Sequence, residues 1–475
     1  MKRREFLRTL GIGATALSMP GILRAAAPES EKPNILFIFA DDQCFETIRA
    51  FGLDEIQTPN LDRLVKRGVT FSHAYNMGAW HGAVCVASRT MLNTGRFLWH
   101  AKEIEPRLRQ EAAQGRLWSQ YMAGAGYDTY MSGKWHVKID PPRIFQNVVN
   151  VRPGMPNQTP EGYDRPKKGE PDPWKPWDES RGGYWKGGKH WSEVLADDAE
   201  SFLQQAAGRS NPFFMYLAFN APHDPRQSPK EYVERYPLKG IAVPENYLPL
   251  YPDKDAIGCG ERLRDERLAP FPRTEYAVKV HRQEYYAIIT HMDTVIGRIL
   301  DELENTGKAD NTYIFFTADH GLACGHHGLL GKQNMYDHSV RVPLIAVGPG
   351  VEGNTKIDVP VYLQDIMPSS LDLAGVSIPE QVQFKSLMPL IRGEREQSYD
   401  AIYGGYMSLQ RMVTEGDYKM LYYPKIEKTK LFNLKNDPKE MIDLAGEPGA
   451  ASRIAKLKET LRRLQKETGD TLPIE

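Results

Sequence analysis

Asn34-Ile-Leu-Phe-Ile-Phe-Ala-Asp41-Asp42 is the stretch that sets the fold class. After the asparagine, the run to Ala40 is wholly apolar and rich in strand formers. It lacks the polar alternation of a strand with one wet face, so the expected element is a strand buried on both faces. The run stops on two adjacent acids. In open α/β sheets, ligands bind just beyond the carboxyl ends of strands. Neighbouring carboxylates repel unless a cation lies between them, and oxygen donors favour a hard ion such as Ca²⁺ or Mg²⁺.

A second run repeats the arrangement. Tyr313–Thr317 leads into Ala318-Asp319-His320-Gly321, so two strand ends together offer a four-ligand cluster of Asp41, Asp42, Asp319 and His320. Phe213–Phe219 reads as another buried strand and Val342–Val347 as a weaker fourth. Helical patterns lie between them. Thr58 is placed as an N-cap, with Pro59 at the first helical position and Gly68 as the stop. Ser192–Ala206 and His281–Leu303 are amphipathic. This alternation predicts an α/β fold with a large, mostly parallel sheet flanked by helices up to about Gly375. After it, Ala401–Tyr403, Gln410–Thr414 and Lys419–Tyr423 predict a small antiparallel sheet, and Ala451–Glu467 a closing helix. The expected organisation is a catalytic domain over 28–375 and a C-terminal subdomain over 376–475.

Composition narrows the function classes. The 475 residues carry 60 Lys+Arg against 61 Asp+Glu, for a net charge of −1, with 41% hydrophobic residues. This is ordinary soluble composition, and it disfavours a dedicated nucleic-acid binder. Four cysteines cannot staple a disulfide scaffold of this length. No apolar run reaches the roughly 18–20 residues that span a bilayer, so no stable membrane association is expected. Residues 1–27 read as an export signal: Lys2, Arg3 and Arg4, a mild apolar stretch from Leu7 to Leu23, then Ala25-Ala26-Ala27. Arg3-Arg4 with Phe6-Leu7 resembles a twin-arginine signal, which implies a periplasmic or secreted protein. That segment holds five Lys/Arg and one Glu, so the remaining chain carries a net charge near −5.

Residues 140–190 are rich in proline and hold Trp174, Trp177 and Trp185, with Trp191 just beyond. They are either tryptophan platforms suited to sugar rings or packing for a long loop.

Cys85 sits in Ala83-Val-Cys85-Val-Ala87-Ser88-Arg89, followed by Thr94-Gly95-Arg96. A helix starting just after Cys85 would point free N–H groups at it and favour an anion there, with Arg89 on the same face. This string resembles the signature of type I sulfatases, within the alkaline-phosphatase-like superfamily. Other family landmarks follow in order: Asp41-Asp42, Gly133-Lys134-Trp135-His136, Ala221-Pro222-His223, Asp319-His320-Gly321, Gly331-Lys332 and Arg341-Val342-Pro343-Leu344. The tail around Leu431–Leu444 is similar to the family's C-terminal subdomain. Ala87 stands where the commonest signature has Pro, and His320 stands where many relatives have Asn.

The resemblance implies that Cys85 is modified to Cα-formylglycine by a formylglycine-generating maturation enzyme. The metal ligands it implies are Asp41, Asp42, Cys85 (as the modified residue), Asp319 and His320, around Ca²⁺ or Mg²⁺. The implied nucleophile is one hydroxyl of the hydrated aldehyde. Arg89 and Lys134 would orient it, and Lys134 and Lys332 would neutralise the sulfate. His223, with Lys332 as an alternative, would protonate the leaving alcohol. His136 would deprotonate the remaining hydroxyl to expel sulfate.

The expected substrate is a sulfated carbohydrate, with algal galactans, fucans and glycosaminoglycans all open. Trp80, His81 and His327 are the expected substrate contacts. His326, His100, Trp185 and the arginines 262, 264, 267 and 273 are further candidates, the arginines reading more readily as a solvated face. Two rivals stand beside this reading: a phosphonate or phosphodiester hydrolase of the same superfamily, and an inactive carbohydrate-binding relative.

Overall fold

The computed structural model describes residues 32–155 and 159–474; the expected export segment, residues 1–27, lies outside them. Sixteen strands are found among the described residues. In chain order they are β1 (Asn34–Ala40), β2 (Val69–Tyr75), β3 (Gly78–Ala79), β4 (Asp128–Lys134), β5 (Asn147–Arg152), β6 (Trp185–Lys186), β7 (Lys189–His190) and β8 (Phe213–Ala218). Then come β9 (Thr312–Ala318), β10 (Arg341–Val342), β11 (Leu344–Val347), β12 (Thr355–Tyr362), β13 (Ala401–Tyr406), β14 (Gln410–Glu415), β15 (Tyr418–Tyr423) and β16 (Lys428–Asn433).

Nine strands form one sheet in the order β10-β2-β11-β9-β1-β8-β4-β5, with β12 also paired to β2. β1 lies at its centre, parallel to both β8 and β9, and every residue of it is buried. β4 runs parallel to β8 and to β5. Only β10 and β11 run antiparallel to their neighbours. The register puts Ala40 opposite Ala318 and Gly133 opposite Ala218, so β4, β8, β1 and β9 end together at one edge. The large parallel sheet with flanking helices is the expected architecture, and β13–β16 supply the expected antiparallel sheet. Its fifth strand, β3, comes from far upstream and adds parallel to β13.

The elements differ in detail from the sequence expectation. The Val342–Val347 run is two strands, because Pro343 has no N–H to continue the ladder. Helix Glu275–Asn305 starts a turn and a half before the expected His281, and Thr274 caps it by accepting from Ala277 N at 3.1 Å. Helix Pro59–Arg67 ends as expected, but Thr58 does not cap it through its side chain. The Thr58 hydroxyl serves Arg49 N and Asp62 instead. The first N–H groups are satisfied by Asp293 of the long helix, at 3.1 Å from Asn60 N and 2.7 Å from Leu61 N.

The tryptophan loop resolves toward packing. Trp174 is buried, and Trp177, Trp185 and Trp191 are half-buried. Trp191 opens helix Trp191–Ala207 and carries the Arg152 guanidinium at 3.5 Å from its ring centroid. Among the described residues no helix is long and apolar enough to cross a membrane. All four cysteines are free and buried.

Candidate active site

The strand ends deliver the charged groups. Asp41 and Asp42 follow β1, Asp319 and His320 follow β9, Lys134 closes β4, and β8 leads through Asn220-Ala221-Pro222 to His223. Backbone bonds lock this edge: Asp41 N donates to Ala221 O at 3.0 Å, and Asp319 N to Ala40 O at 3.2 Å. Gly133 makes the close approach of β4 possible. Its φ is +91°, and a Cβ there would stand 1.9 Å from the Ala218 carbonyl oxygen.

Cys85 comes from a different element. Helix Val84–Thr94 begins two residues earlier than expected, so Cys85 lies in its first turn rather than before it. The whole helix is buried, which aims its N-terminus into the strand ends. Cys85 Sγ lies 3.5 Å from Asp41 Oδ1, 3.3 Å from His320 Nε2 and 3.6 Å from Lys332 Nζ. Arg89, one turn on, donates from Nε to Asp319 Oδ2 and from Nη1 to the Lys134 carbonyl, both at 2.9 Å.

Two cations interleave with the acids. Lys134 Nζ pairs with Asp41 Oδ2. Lys332 Nζ is 2.9 Å from both oxygens of Asp42 and 3.1 Å from His223 Nε2. His320 Nε2 is 3.1 Å from Asp42 Oδ1 and 3.4 Å from Asp319 Oδ1. Potential ligand atoms of Asp41, Cys85, Asp319 and His320 lie within 4.8 Å of one another, as do those of Asp41, Asp42, Cys85 and His223.

Burial sets the electrostatics. It alone would raise the Cys85 thiol, but Lys134, Lys332 and His320 outweigh it and hold the group well below the ordinary thiol range. Burial also opposes the charge on Asp42, yet His223 and Lys332 keep it ionised. Burial works against a charged His320, and Asp319 and Asp42 overcome it, pushing the ring up to about 9. Asp41 goes the other way: burial and then Asp319 raise it well above the usual carboxylate range. His136 is lowered, chiefly by burial, and stays neutral near pH 7.

A cavity of about 390 Å³ opens over this cluster. Cys85, His136, His223 and Lys332 line it with Gly154, Arg264, Asp265 and Gln333. The expected substrate contacts are not in its wall. Trp80 is buried edge-on against His81, whose Nδ1 accepts from Ala83 N at 3.1 Å and shapes the turn into the Cys85 helix. His327 stacks on Tyr336 at 4.0 Å and bonds Asn246. Burial first, then His326, lowers His327 to about 3, the signature of a packed neutral ring. His326 bridges Glu46 and Asn246, and His100 bonds Gln383.

The arginine run is not a uniform solvated face. Arg273 is buried against Glu266 at 2.6 Å, and Arg267 pairs with Asp164. Arg264 reaches the cavity, held between Asp224 at 3.2 Å and Asp265. Asp265 in turn lies 3.7 Å from Lys332 Nζ and accepts from Gln333 Nε2 at 2.7 Å. Asp265 and Gln333 in the cavity wall, and Asp224 behind His223 and Arg264, are not among the residues singled out from sequence. Adjacency was the only signal for each: Asp224 follows His223, Gln333 follows Lys332, and Asp265 follows Arg264.

Comparison with known proteins gives the family. The family described as Sulfatase matches residues 33–376, and the N-sulphoglucosamine sulphohydrolase C-terminal family matches residues 325–467. The chain is 30% identical to an arylsulfatase of Clostridium perfringens, over 90% of this chain and 94% of that protein. It is 27% identical to an N-acetylglucosamine-6-O-sulfatase of Bacteroides thetaiotaomicron, over 98% and 92%. Among solved structures, BT4656 in complex with its substrate D-glucosamine-2-N,6-O-disulfate superposes with a TM-score of 0.74 at 23% identity, over 94% of this chain and 99% of that one. A phosphonate monoester hydrolase from Silicibacter pomeroyi gives 0.73 at 21%, over 93% and 96%. A match running unbroken from the first strand past the last helix of the large sheet settles the assignment: the chain belongs to the sulfatase family, with its alkaline-phosphatase-like fold, and is a sulfuric ester hydrolase.

Proposed function

We propose that the protein removes sulfate from a sulfated carbohydrate at the centre around Cys85. The observation that carries this is the convergence of three buried acids, His320, two lysines and Arg89 on one buried sulfur. The donors fit a hard divalent cation: Asp41, Asp319 and His320 converge on the Cys85 position, Asp41 and Asp42 do so in a second overlapping group, and Asp42 Oδ1 lies 3.1 Å from His320 Nε2, all of them buried. Asp41, Asp42, Asp319 and His320 would hold Ca²⁺ or Mg²⁺. The cation supplies charge neutralisation for sulfate, and formylglycine made from Cys85 by a maturation enzyme supplies a hydrated aldehyde as nucleophile.

The chain's own groups do the rest. Lys134 and Lys332 present fixed positive charge where sulfate oxygens must sit, in a site from which bulk water is largely excluded. His223 Nε2 lies beside Lys332 Nζ at the cavity wall, and as an imidazolium, with Nδ1–H on the Asp224 carbonyl, it would give its Nε2 proton to the departing alcohol. The His223 ring is oriented by the Asp224 carbonyl at 2.6 Å from Nδ1. His136, neutral at pH 7, serves as the base for sulfate release. The basic, apolar start of the chain supports export by the twin-arginine route to the periplasm or beyond.

Mass spectrometry of the peptide holding Cys85 tests the modification: conversion of the thiol to the aldehyde lowers its mass by about 18 Da. An unmodified thiol in active protein refutes it. A second reading, phosphonate or phosphodiester hydrolysis, is favoured by the likeness to the phosphonate monoester hydrolase. Rates on matched sulfate, phosphodiester and phosphonate esters decide between them, and faster turnover of a phosphorus ester overturns the proposal.

A further inference from the structure

A second cavity, of about 340 Å³, lies behind His136. It shares His136, Pro153 and Gly154 with the cavity over Cys85, so the two adjoin across one imidazole. Its wall includes Trp135, Arg109, Lys138, Arg152 and Asp140. Two of these charges are already answered: Lys138 pairs with Glu105 at 2.7 Å, and Asp140 with Arg143 at 3.4 Å. Arg109 and Arg152 are not. Neither has a carboxylate within 4.0 Å among the described residues. The Arg152 guanidinium lies on the Trp191 ring, and its Nε is buried without a hydrogen-bond partner. Burial lowers Arg152 only to about 10, so it remains charged at neutral pH. Arg109 is exposed and Arg152 half-buried, and both line this cavity beside the reaction centre without a carboxylate partner, so they offer charge-assisted hydrogen bonds to an anion on the substrate.

We propose that this cavity receives an anionic substituent, sulfate or carboxylate, on the sugar next to the one being desulfated. Arg109 and Arg152 are its cations. This rests on the carbohydrate sulfatase reading and adds to it a requirement on the neighbouring sugar. It makes the preferred substrate a multiply charged oligosaccharide.

The test compares three disaccharides in which 6-sulfated N-acetylglucosamine carries galactose, a uronate or a 2-sulfated uronate at O4. 4-Nitrophenyl sulfate is the probe with no neighbour. The wild type is expected to favour the two charged neighbours over galactose by about tenfold or more in kcat/KM. The order of the two separates sulfate from carboxylate as the preferred group. Arg109→Glu, on an exposed residue, is expected to erase that preference with Tm unchanged; Arg152→Met is the second variant. A wild type that shows no preference overturns the proposal, as does a preference that survives both variants. Turnover of 4-nitrophenyl sulfate with no desulfation of any disaccharide also overturns it, while leaving the sulfatase centre standing. A wild type inactive on every probe overturns the functional reading itself.

Discussion

Gly154→Ala isolates His136 by adding one methyl group and no charge. A Cβ at position 154 would stand 2.1 Å from His136 Cε1, 2.2 Å from Nε2 and 2.4 Å from Cδ2. Carbon atoms rest about 3.5–4.0 Å apart, so the ring must retreat by roughly 1.5 Å. The side-chain hydrogen bond to Cys85 is what opposes that movement. His136 Nδ1 has no hydrogen-bond partner, and the ring is half-buried at the junction of two cavities. Overpacking of this kind costs about 1–3 kcal/mol when nothing yields, and a swinging ring keeps the cost near the lower end. Turnover is affected far more. A misplacement of about 1 Å at a catalytic group costs on the order of 100-fold. Expected outcomes are a kcat on 4-nitrophenyl sulfate lowered about 100-fold and a melting temperature within about 2 °C of wild type. Because Gly154 also lines the cavity, the methyl group has a second way to act, by obstructing substrate. A double-mutant cycle with His136→Ala separates the two. If the ring carries the effect, Gly154→Ala in the His136→Ala background costs less than about threefold more. A full second 100-fold loss in that background refutes the reasoning.

Other perturbations probe the charge network. Lys419 is fully buried between Asp337 and Glu440, at 2.7 Å from each. Lys419→Met strands two buried carboxylates and should destabilise by about 3–5 kcal/mol in denaturant unfolding; a loss under about 1 kcal/mol contradicts this. Asp365 is raised to about 7, chiefly by burial, although Tyr399 OH and the Lys385 and Tyr362 N–H groups donate to it. Its folded form binds its proton more tightly than the unfolded chain. Its contribution is therefore complete below about pH 4 and is lost as pH rises through 7, an upper bound of about 4 kcal/mol. Asp365→Asn should flatten the stability profile between pH 4 and 7, and identical slopes in both proteins sink the argument. Exhaustive EDTA treatment should lower activity at least about 100-fold, with recovery on adding Ca²⁺ or Mg²⁺; full activity after chelation removes the metal from the proposal.

The central strands were readable because burial on both faces leaves a run of apolar residues with no alternation. β1 and β9 carry that mark, and both close on acids whose side chains have no other local use. β4 carries no such mark. Asp128-Thr-Tyr-Met-Ser-Gly-Lys134 is polar, yet every residue in it is buried. Its polar groups are satisfied by partners distant in sequence: Ser132 by Asp198 at 2.6 Å, Asp128 by Arg209 at 3.1 Å, and Thr129 N by Gln146 at 2.8 Å. Periodicity cannot report a partner 60 residues away. β3 escaped notice for a related reason. A two-residue strand has no pattern, and only the fold brings Gly78 beside Gly405. The same limit hid Asp265. Its neighbours Arg264 and Arg267 look alike in sequence, but one enters the cavity and the other pairs with Asp164 at the surface.

Charge poses the remaining problem. Without residues 1–27 the chain carries about −5, so the overall field repels a sulfated substrate. Attraction must come from cations held where the field of distant surface acids is screened, within about 8 Å at physiological salt. Lys134, Lys332 and Arg89 are held so, but each is bonded to an acid at rest. Those acids are the ones assigned to the metal. A divalent cation would satisfy the carboxylates and free Lys134 and Lys332 to face sulfate, so metal occupancy and anion affinity are coupled by electrostatics. The coupling has a measurable sign: sulfate should protect the protein against thermal unfolding more strongly with Ca²⁺ present than after chelation. Equal protection in both states would mean that the lysines reach the anion without help, and that the acids hold them only weakly.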